Sequence, residues 1–252
     1  MAAGPGRRWA VWVPNAVTSA NLLLGFFSIL LSLTALRDGR GPQDPAFAVA
    51  CWLILWATIG DLLDGKLAKL LRASSDFGMR LDTFADAVTF GLAPAVLLYA
   101  AFLRPGGPSL RVGLAPAAYF LAACFRLARY NVASGGKPRF GFVVVPTPAA
   151  AMIATSCYLS TKDAPLPPEW VALLTWLVAL SMVSPLRYPA FKGMRGREVV
   201  FMAVMALALL VATQVWGTPR VIFATFGSFA LVWGYWWIPL RPYLVPGVSK
   251  ED

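Results

Sequence analysis

Long apolar segments are the feature that most constrains this chain. Eight of them follow one another, separated by short breaks that contain glycine, proline and charged residues. A helix needs about 20 apolar residues to cross the hydrocarbon core of a bilayer. The sequence therefore predicts an all-α, polytopic membrane bundle of about eight transmembrane helices. The predicted spans are 15–36, 46–71, 77–103, 113–133, 145–161, 169–186, 198–216 and 219–238.

Composition supports this class of protein. The chain is 58% hydrophobic and 13% charged, whereas a soluble domain carries about 25% charged residues. We expect one integral membrane domain over residues 1–252, with the lipid bilayer as a partner, an N-terminal cytoplasmic segment at 1–13 and a C-terminal tail at 239–252. The net charge of +10 is explained by basic loops beside anionic lipid, so no nucleic-acid partner is predicted.

The distribution of lysine and arginine predicts the orientation. With eight spans, sixteen of these residues fall on one side and six on the other. Basic loops favour the cytoplasm, so both termini are predicted to be cytoplasmic. The protein would then lie in the cytoplasmic membrane with the acidic stretch described next facing the cytoplasm.

Acidic residues are concentrated in one stretch. Five of the twelve lie between Asp61 and Asp86. Asp61 and Asp64 are three residues apart, and Asp82 and Asp86 are four apart, so each pair lies on one face of a helix. Between the pairs, A-S-S-D at 73–76 predicts a turn and a helix N-cap. We expect an antiparallel helical hairpin on which the two pairs converge.

Converging carboxylates repel one another, and a divalent metal ion relieves that repulsion. The chain has no histidine, which excludes histidine catalysis and histidine ligands. Oxygen ligands favour Mg²⁺ or Mn²⁺, with Ca²⁺ as another occupant, and four carboxylates can hold two ions about 4 Å apart. The alternative is a solvated hairpin in which these acids are paired with neighbouring Lys and Arg side chains.

Small and basic residues surround the acids. Gly65, Ala68 and Gly78 leave room for a substrate near the backbone, and Lys69 and Arg80 supply positive charge. For the two glycines, close packing between helices is an equal alternative.

The spacing D-x2-D-G-x2-A-[R/K]-x8-G-x3-D-x3-D resembles the signature of the CDP-alcohol phosphotransferases. The positions in register are Asp61, Asp64, Gly65, Ala68, Gly78, Asp82 and Asp86. The family usually has arginine where this chain has Lys69, which keeps the charge but loses the planar fork.

The resemblance implies a bundle of membrane helices, commonly a homodimer, with the metal site on helices two and three. It implies attack by an alcohol on the β-phosphorus of a CDP-linked lipid, with CMP leaving. Asp61, Asp64 and Asp82 would be metal ligands, and Asp86 would be both a ligand and the general base. The CDP-lipid would contact the small and basic residues of the signature region and Asp61 and Asp82.

Further stretches resemble the phosphatidylserine synthase branch of this family, with CDP-diacylglycerol and L-serine as substrates. They are residues 14–21, 76–94, 125–133, 145–151 and 182–192. A serine carboxylate needs a cationic partner, and an arginine fork suits a carboxylate. The candidates are Arg126, Arg129, Lys137 and Arg139, which can equally be inside-positive loop residues.

Several alternatives stay open from the sequence alone. Thr18 and Asn21 are polar within the first apolar segment, and they could reach the nucleotide or bond between helices. Glycerol 3-phosphate or inositol phosphate could replace serine, because their phosphate also needs a basic pocket. A different class of protein, a cation transporter, could use the four aspartates as its ion site, although no internal repeat supports it.

Overall fold

The computed structural model describes residues 8–70, 75–102, 110–134, 146–161 and 167–184. All regular secondary structure within these ranges is helical, as the sequence predicted. The helices are α1 Arg8–Arg37, α2 Pro45–Leu70, α3 Asp76–Asp86, α4 Ala93–Phe102, α5 Leu110–Ser134, α6 Thr147–Thr161 and α7 Pro168–Val183. A wide, π-helical turn at Ala87–Leu92 joins α3 to α4.

The first six predicted spans correspond to these helices. The third span is one continuous helix, Asp76–Phe102, formed by α3, the wide turn and α4. The largest difference within the described ranges is at the start of α1, seven residues earlier than predicted; α5 starts three residues earlier and α6 two residues later. Spans 198–216 and 219–238 lie outside the described residues, so the total of eight and the side of the termini stay predictions.

Among the described residues, two helices are long and apolar enough to cross a bilayer. They are Trp12–Arg37, with 26 residues, and Asp76–Phe102, with 27. Pro45–Asp61 and Pro168–Val183 are shorter apolar helices. Large apolar side chains of α1 such as Leu23, Phe26 and Phe27 are exposed, and exposed apolar faces of this kind suit a lipid environment. The architecture is that of a membrane helical protein.

Helix α1 packs against α2, α3, the wide turn and α4. Small residues permit these close approaches. A Cβ placed on Gly25 of α1 would lie 2.7 Å from the Cα of Thr89 in the wide turn. On α2, a Cβ on Gly60 would collide with the Asn21 side chain of α1. Both crossings therefore depend on the absence of a side chain.

The wide turn has a cause in the sequence. Proline has no N–H, and its ring clashes with the carbonyl four residues earlier. Pro94 lies four residues after Phe90, so the Phe90 carbonyl cannot accept the usual α-helical bond. The chain widens here instead, and the Ala93 N–H bonds to the Val88 carbonyl, five residues back.

Candidate active site

The acidic hairpin begins α3 with a side-chain cap. Ser75 has an extended backbone, with φ −131° and ψ 152°, and its hydroxyl accepts a hydrogen bond from the Gly78 N–H at 3.0 Å. Asp76 follows in the first turn, where a negative charge interacts favourably with the helix dipole. The predicted N-cap is confirmed, and it fixes where α3 starts and hence where Asp82 and Asp86 lie along it.

Three of the four predicted carboxylates come together. Asp61 of α2 and Asp82 and Asp86 of α3 each offer an oxygen, and these oxygens lie within 4.8 Å of one another. All three side chains are half-buried. The predicted convergence of acids from two helices is confirmed for these three. Asp64 belongs to α2, but its side chain lies outside the described residues.

This donor set fits a hard divalent cation. Ligand oxygens lie about 2.0–2.6 Å from Mg²⁺ or Ca²⁺, so two ligands of one ion can be up to about 5 Å apart. The oxygens of the three carboxylates meet that limit. Carboxylate oxygens suit Mg²⁺, Mn²⁺ or Ca²⁺ rather than metals that prefer thiolate or imidazole.

Arg126 of α5 connects the carboxylates to α6. Its guanidinium donates a hydrogen bond to the hydroxyl of Thr147, the first residue of α6, and it interacts electrostatically with Asp86. Thr147 is fully buried. A cation thus lies beside the acids and is oriented by a neighbouring helix. Arg129 was predicted, like Arg126, as a candidate partner of the serine carboxylate. It is exposed, so the two arginines have different environments.

The sequence did not single out Thr147. The stretch 145–151 resembled the phosphatidylserine synthase branch, but nothing in one sequence indicated that its threonine meets Arg126. The sequence also did not predict a contact between α5 and α3. There the Asn131 side-chain amide donates a hydrogen bond to the Thr83 hydroxyl at 3.2 Å. Thr83 adjoins Asp82, so α5 approaches the acidic helix from more than one point.

The polar residues of α1 make contacts within the protein. The Thr18 hydroxyl donates to the Pro14 carbonyl of the same helix at 3.1 Å. Asn21 is buried, its backbone carbonyl accepts a hydrogen bond from the Thr89 hydroxyl at 3.0 Å, and its side chain lies against Gly60. The Asn21 side chain thus lies where α1 crosses α2, and its predicted contact with the nucleotide or with another helix stays a prediction.

The small and basic residues of the signature have different surroundings. A Cβ on Gly78 would lie 2.6 Å from Oδ1 of Asn15, so this glycine permits close packing of α3 on α1. Arg80 is exposed. The structure does not describe the surroundings of three signature residues on α2, Gly65, Ala68 and Lys69. Lys137 and Arg139 also lie outside the described residues.

Residues 11–184 match the family model for CDP-alcohol phosphatidyltransferases. The chain belongs to this family. The matched residues cover α2 to α7 and all but the first three residues of α1. The carboxylates therefore lie in the part of the chain that is common to the family.

Individual relatives support the same assignment. The CDP-diacylglycerol–serine O-phosphatidyltransferase of Helicobacter pylori strain 26695 is 31% identical, over 88% of this chain and 88% of its own length. The protein of that name from Methanocaldococcus jannaschii is 28% identical, over 90% and 98%. Archaetidylserine synthase of Methanothermobacter thermautotrophicus is 31% identical, over 72% and 71%.

Membership of this family decides between the enzyme and the cation-transporter interpretations of the acidic residues. The CDP-alcohol phosphatidyltransferases are an enzyme family and are membrane-associated. The acids of α2 and α3 therefore belong to an enzyme of phospholipid biosynthesis, and the cation-transporter interpretation is not supported.

Proposed function

We propose that this enzyme transfers a phosphatidyl group from CDP-diacylglycerol to the hydroxyl of L-serine, giving phosphatidylserine and CMP. The observation that carries the reaction class is the meeting of Asp61, Asp82 and Asp86 within the residues that match the family. The choice of serine is supported by relatives whose names specify serine as the acceptor.

Four aspartates would hold the divalent metal, Mg²⁺ or Mn²⁺. They are the three that meet and Asp64, which lies one helical turn from Asp61 on α2. When bound, the metal supplies positive charge that polarises the diphosphate and stabilises the CMP leaving group. Lys69 and Arg80 are the candidate cations for the diphosphate of the lipid substrate.

Asp86 is the proposed general base. In the reaction, the serine hydroxyl oxygen bonds to the phosphorus of the phosphatidyl group, its proton passes to the Asp86 carboxylate, and the bond between that phosphorus and CMP breaks. A positioned base contributes about 10²–10⁴-fold to such a step. The position of Asp86 supports this role, because its carboxylate belongs to the acidic cluster and interacts electrostatically with Arg126.

Arg126 is the proposed partner of the serine carboxylate. A guanidinium can bind a carboxylate through two parallel hydrogen bonds. Thr147 accepts one hydrogen bond from Arg126, which restricts the side chain and leaves other N–H groups for the acceptor. Because Arg126 lies near Asp86, a serine bound to Arg126 through its carboxylate would have its hydroxyl close to Asp86, the base that receives the hydroxyl proton.

The location, orientation and assembly of the enzyme are also proposed. The excess of lysine and arginine on one side supports a cytoplasmic membrane location with the active site facing the cytoplasm. A homodimer is the assembly that the family resemblance implies, and cross-linking in membranes tests it.

The proposed reaction is tested with purified protein, CDP-diacylglycerol, Mn²⁺ and a panel of acceptors. L-serine, glycerol 3-phosphate and inositol phosphate are supplied separately, and both the lipid formed and CMP are measured. We expect phosphatidylserine with serine and no lipid product with the other two acceptors. Asp86→Asn serves as the inactive control. Product from glycerol 3-phosphate or inositol phosphate alone would keep the reaction class and contradict the choice of serine.

A further inference from the structure

The wide turn begins directly after Asp86. It covers Ala87–Leu92, so the residue proposed as the base is the last residue of α3. Wide turns of this type in helices are often found at functional sites. The relation between Asp86 and the rest of the helix therefore depends on how this turn is held.

Two neighbouring helices hold the turn through hydroxyl groups. From α5, the Tyr119 hydroxyl donates to the Phe90 carbonyl at 3.0 Å, which is the carbonyl that Pro94 deprives of its α-helical donor. From the turn, the Thr89 hydroxyl donates to the Asn21 carbonyl of α1 at 3.0 Å. Tyr119 and Thr89 are fully buried, so water does not compete for either bond.

The turn also determines which way each half of the continuous helix faces. Successive residues of an α-helix are rotated by about 100°, and a π-helical turn accommodates one residue more than an α-turn. On α3, Asp82 and Asp86 face Asp61. On α4, Leu97 and Ala101 are buried in the core. If the turn changed to α-helical spacing, one of these two faces would rotate away from its partners.

From this arrangement we infer that Tyr119 and Thr89 are positioning residues of the enzyme. They fix the wide turn and thereby hold the Asp86 carboxylate against Asp61 and Asp82. The inference rests on the proposed function, because it assigns these hydroxyls a task in the same site. Neither residue belongs to the signature, and neither has a titratable role in the reaction.

The chain offers a matched control in Tyr158. Like Tyr119, it is fully buried and donates its hydroxyl to a backbone carbonyl. Its acceptor, however, is Pro42 in the connection between α1 and α2. Tyr119→Phe and Tyr158→Phe therefore remove the same group from similar surroundings, and only the first removes a contact to the turn.

The experiment measures kcat, the KM for CDP-diacylglycerol, the Mn²⁺ dissociation constant by calorimetry and the unfolding temperature for both variants. Outer-shell partners of a metal site typically contribute about 10–100-fold to activity or metal affinity. We expect Tyr119→Phe to lower kcat and weaken Mn²⁺ binding by about 10-fold each, with the KM for CDP-diacylglycerol nearly unchanged. Tyr158→Phe should keep kcat and Mn²⁺ affinity near wild type.

Equal losses in the two variants, or wild-type values for Tyr119→Phe, would overturn the inference. If Tyr119→Phe does not fold, Thr89→Val decides by the same criteria. A wild-type protein that makes no phosphatidylserine would refute the proposed function. In that case the Mn²⁺ measurements, which need no turnover, still decide whether Tyr119 positions the carboxylates.

Discussion

Two groups of acidic side chains among the described residues are organised in different ways. In the connection from α1 to α2, Asp38 and Asp44 lie beside arginines of the same short segment: Arg37 Nε is 3.3 Å from Asp38, and Arg40 is 3.0 Å from Asp38 and 3.7 Å from Asp44. In the active site, Asp61, Asp82 and Asp86 come from two different helices, and their carboxylate oxygens approach one another. Asp61 lies 16 residues into α2 from Pro45, or about 24 Å along the helix.

The difference indicates which acids are structural and which are functional. An acid paired within its own connection stabilises that connection locally, and exposed pairs contribute about 0–1 kcal/mol. Carboxylates brought together from separate helices repel one another unless a cation compensates them. The fold brings oxygen ligands from separate helices to one point, with the positive charge of Arg126 beside Asp86, and this geometry supports the metal site. The experiments below test the contrast, from the largest expected effect to the smallest.

Removal of divalent metal should have the largest effect. We expect EDTA to abolish formation of phosphatidylserine, and Mg²⁺ or Mn²⁺ to restore it, because the metal would polarise the diphosphate and stabilise the CMP leaving group. The measurement is product formation before and after rigorous chelation. The unfolding temperature of the chelated protein serves as the control for loss of structure. Full activity without metal would remove the metal hypothesis.

Replacement of one clustered acid should come next. Asp86→Asn keeps the shape of the side chain but cannot accept the serine proton, so kcat should fall by at least about 10²-fold. Asp44→Asn is the control from the other group. Its side chain still accepts from the Ala46 N–H, as Asp44 does at 2.8 Å, and kcat should stay at the wild-type value. Similar turnover in the two variants would contradict the distinction between the groups.

Arg126→Ala should have an intermediate effect. A charge-assisted hydrogen bond contributes about 1.5–3 kcal/mol, equivalent to about 10–150-fold in binding. We expect the KM for serine to rise within this range and the KM for CDP-diacylglycerol to change less. Thr147→Val should raise the serine KM by a smaller factor, since it only frees the guanidinium. Unchanged serine kinetics in Arg126→Ala would assign the serine carboxylate to another partner.

Arg40→Gln should have the smallest effect. It removes contacts to both Asp38 and Asp44, and we expect the free energy of unfolding to fall by less than about 1 kcal/mol. Thermal unfolding in detergent measures the loss, and kcat should stay unchanged. A large loss of activity would indicate that this connection communicates with the active site.

Much of this organisation could be predicted from the sequence because it depends on local patterns. The length of the apolar segments predicted the helices. The i, i+3 and i, i+4 spacing placed the acids on helix faces, and Ser75 was predicted as part of a cap from its position before Asp76. The helical hairpin formed by these pairs then predicted that the acids of α2 and α3 converge, as they do for Asp61, Asp82 and Asp86.

Contacts between distant helices could not be predicted in the same way. Arg126 and Thr147 are separated by 21 residues, and Tyr119 and Phe90 by 29. A single sequence does not indicate which distant residues are in contact, because these contacts depend on how the helices rotate and pack. Gly78 illustrates the same limit: its small size was equally consistent with substrate access and with packing, and only the neighbouring Asn15 reveals that α1 approaches there.

Pro94 also has a consequence for how the protein assembles in the bilayer. A newly inserted helix in lipid has no water to satisfy a backbone carbonyl. The Phe90 carbonyl lacks its usual donor within the helix, and the hydroxyl that replaces it belongs to α5. The helix Asp76–Phe102 therefore reaches its final state only when α5 is beside it. We therefore expect Pro94 to favour insertion of this helix together with α5 over insertion of either segment alone.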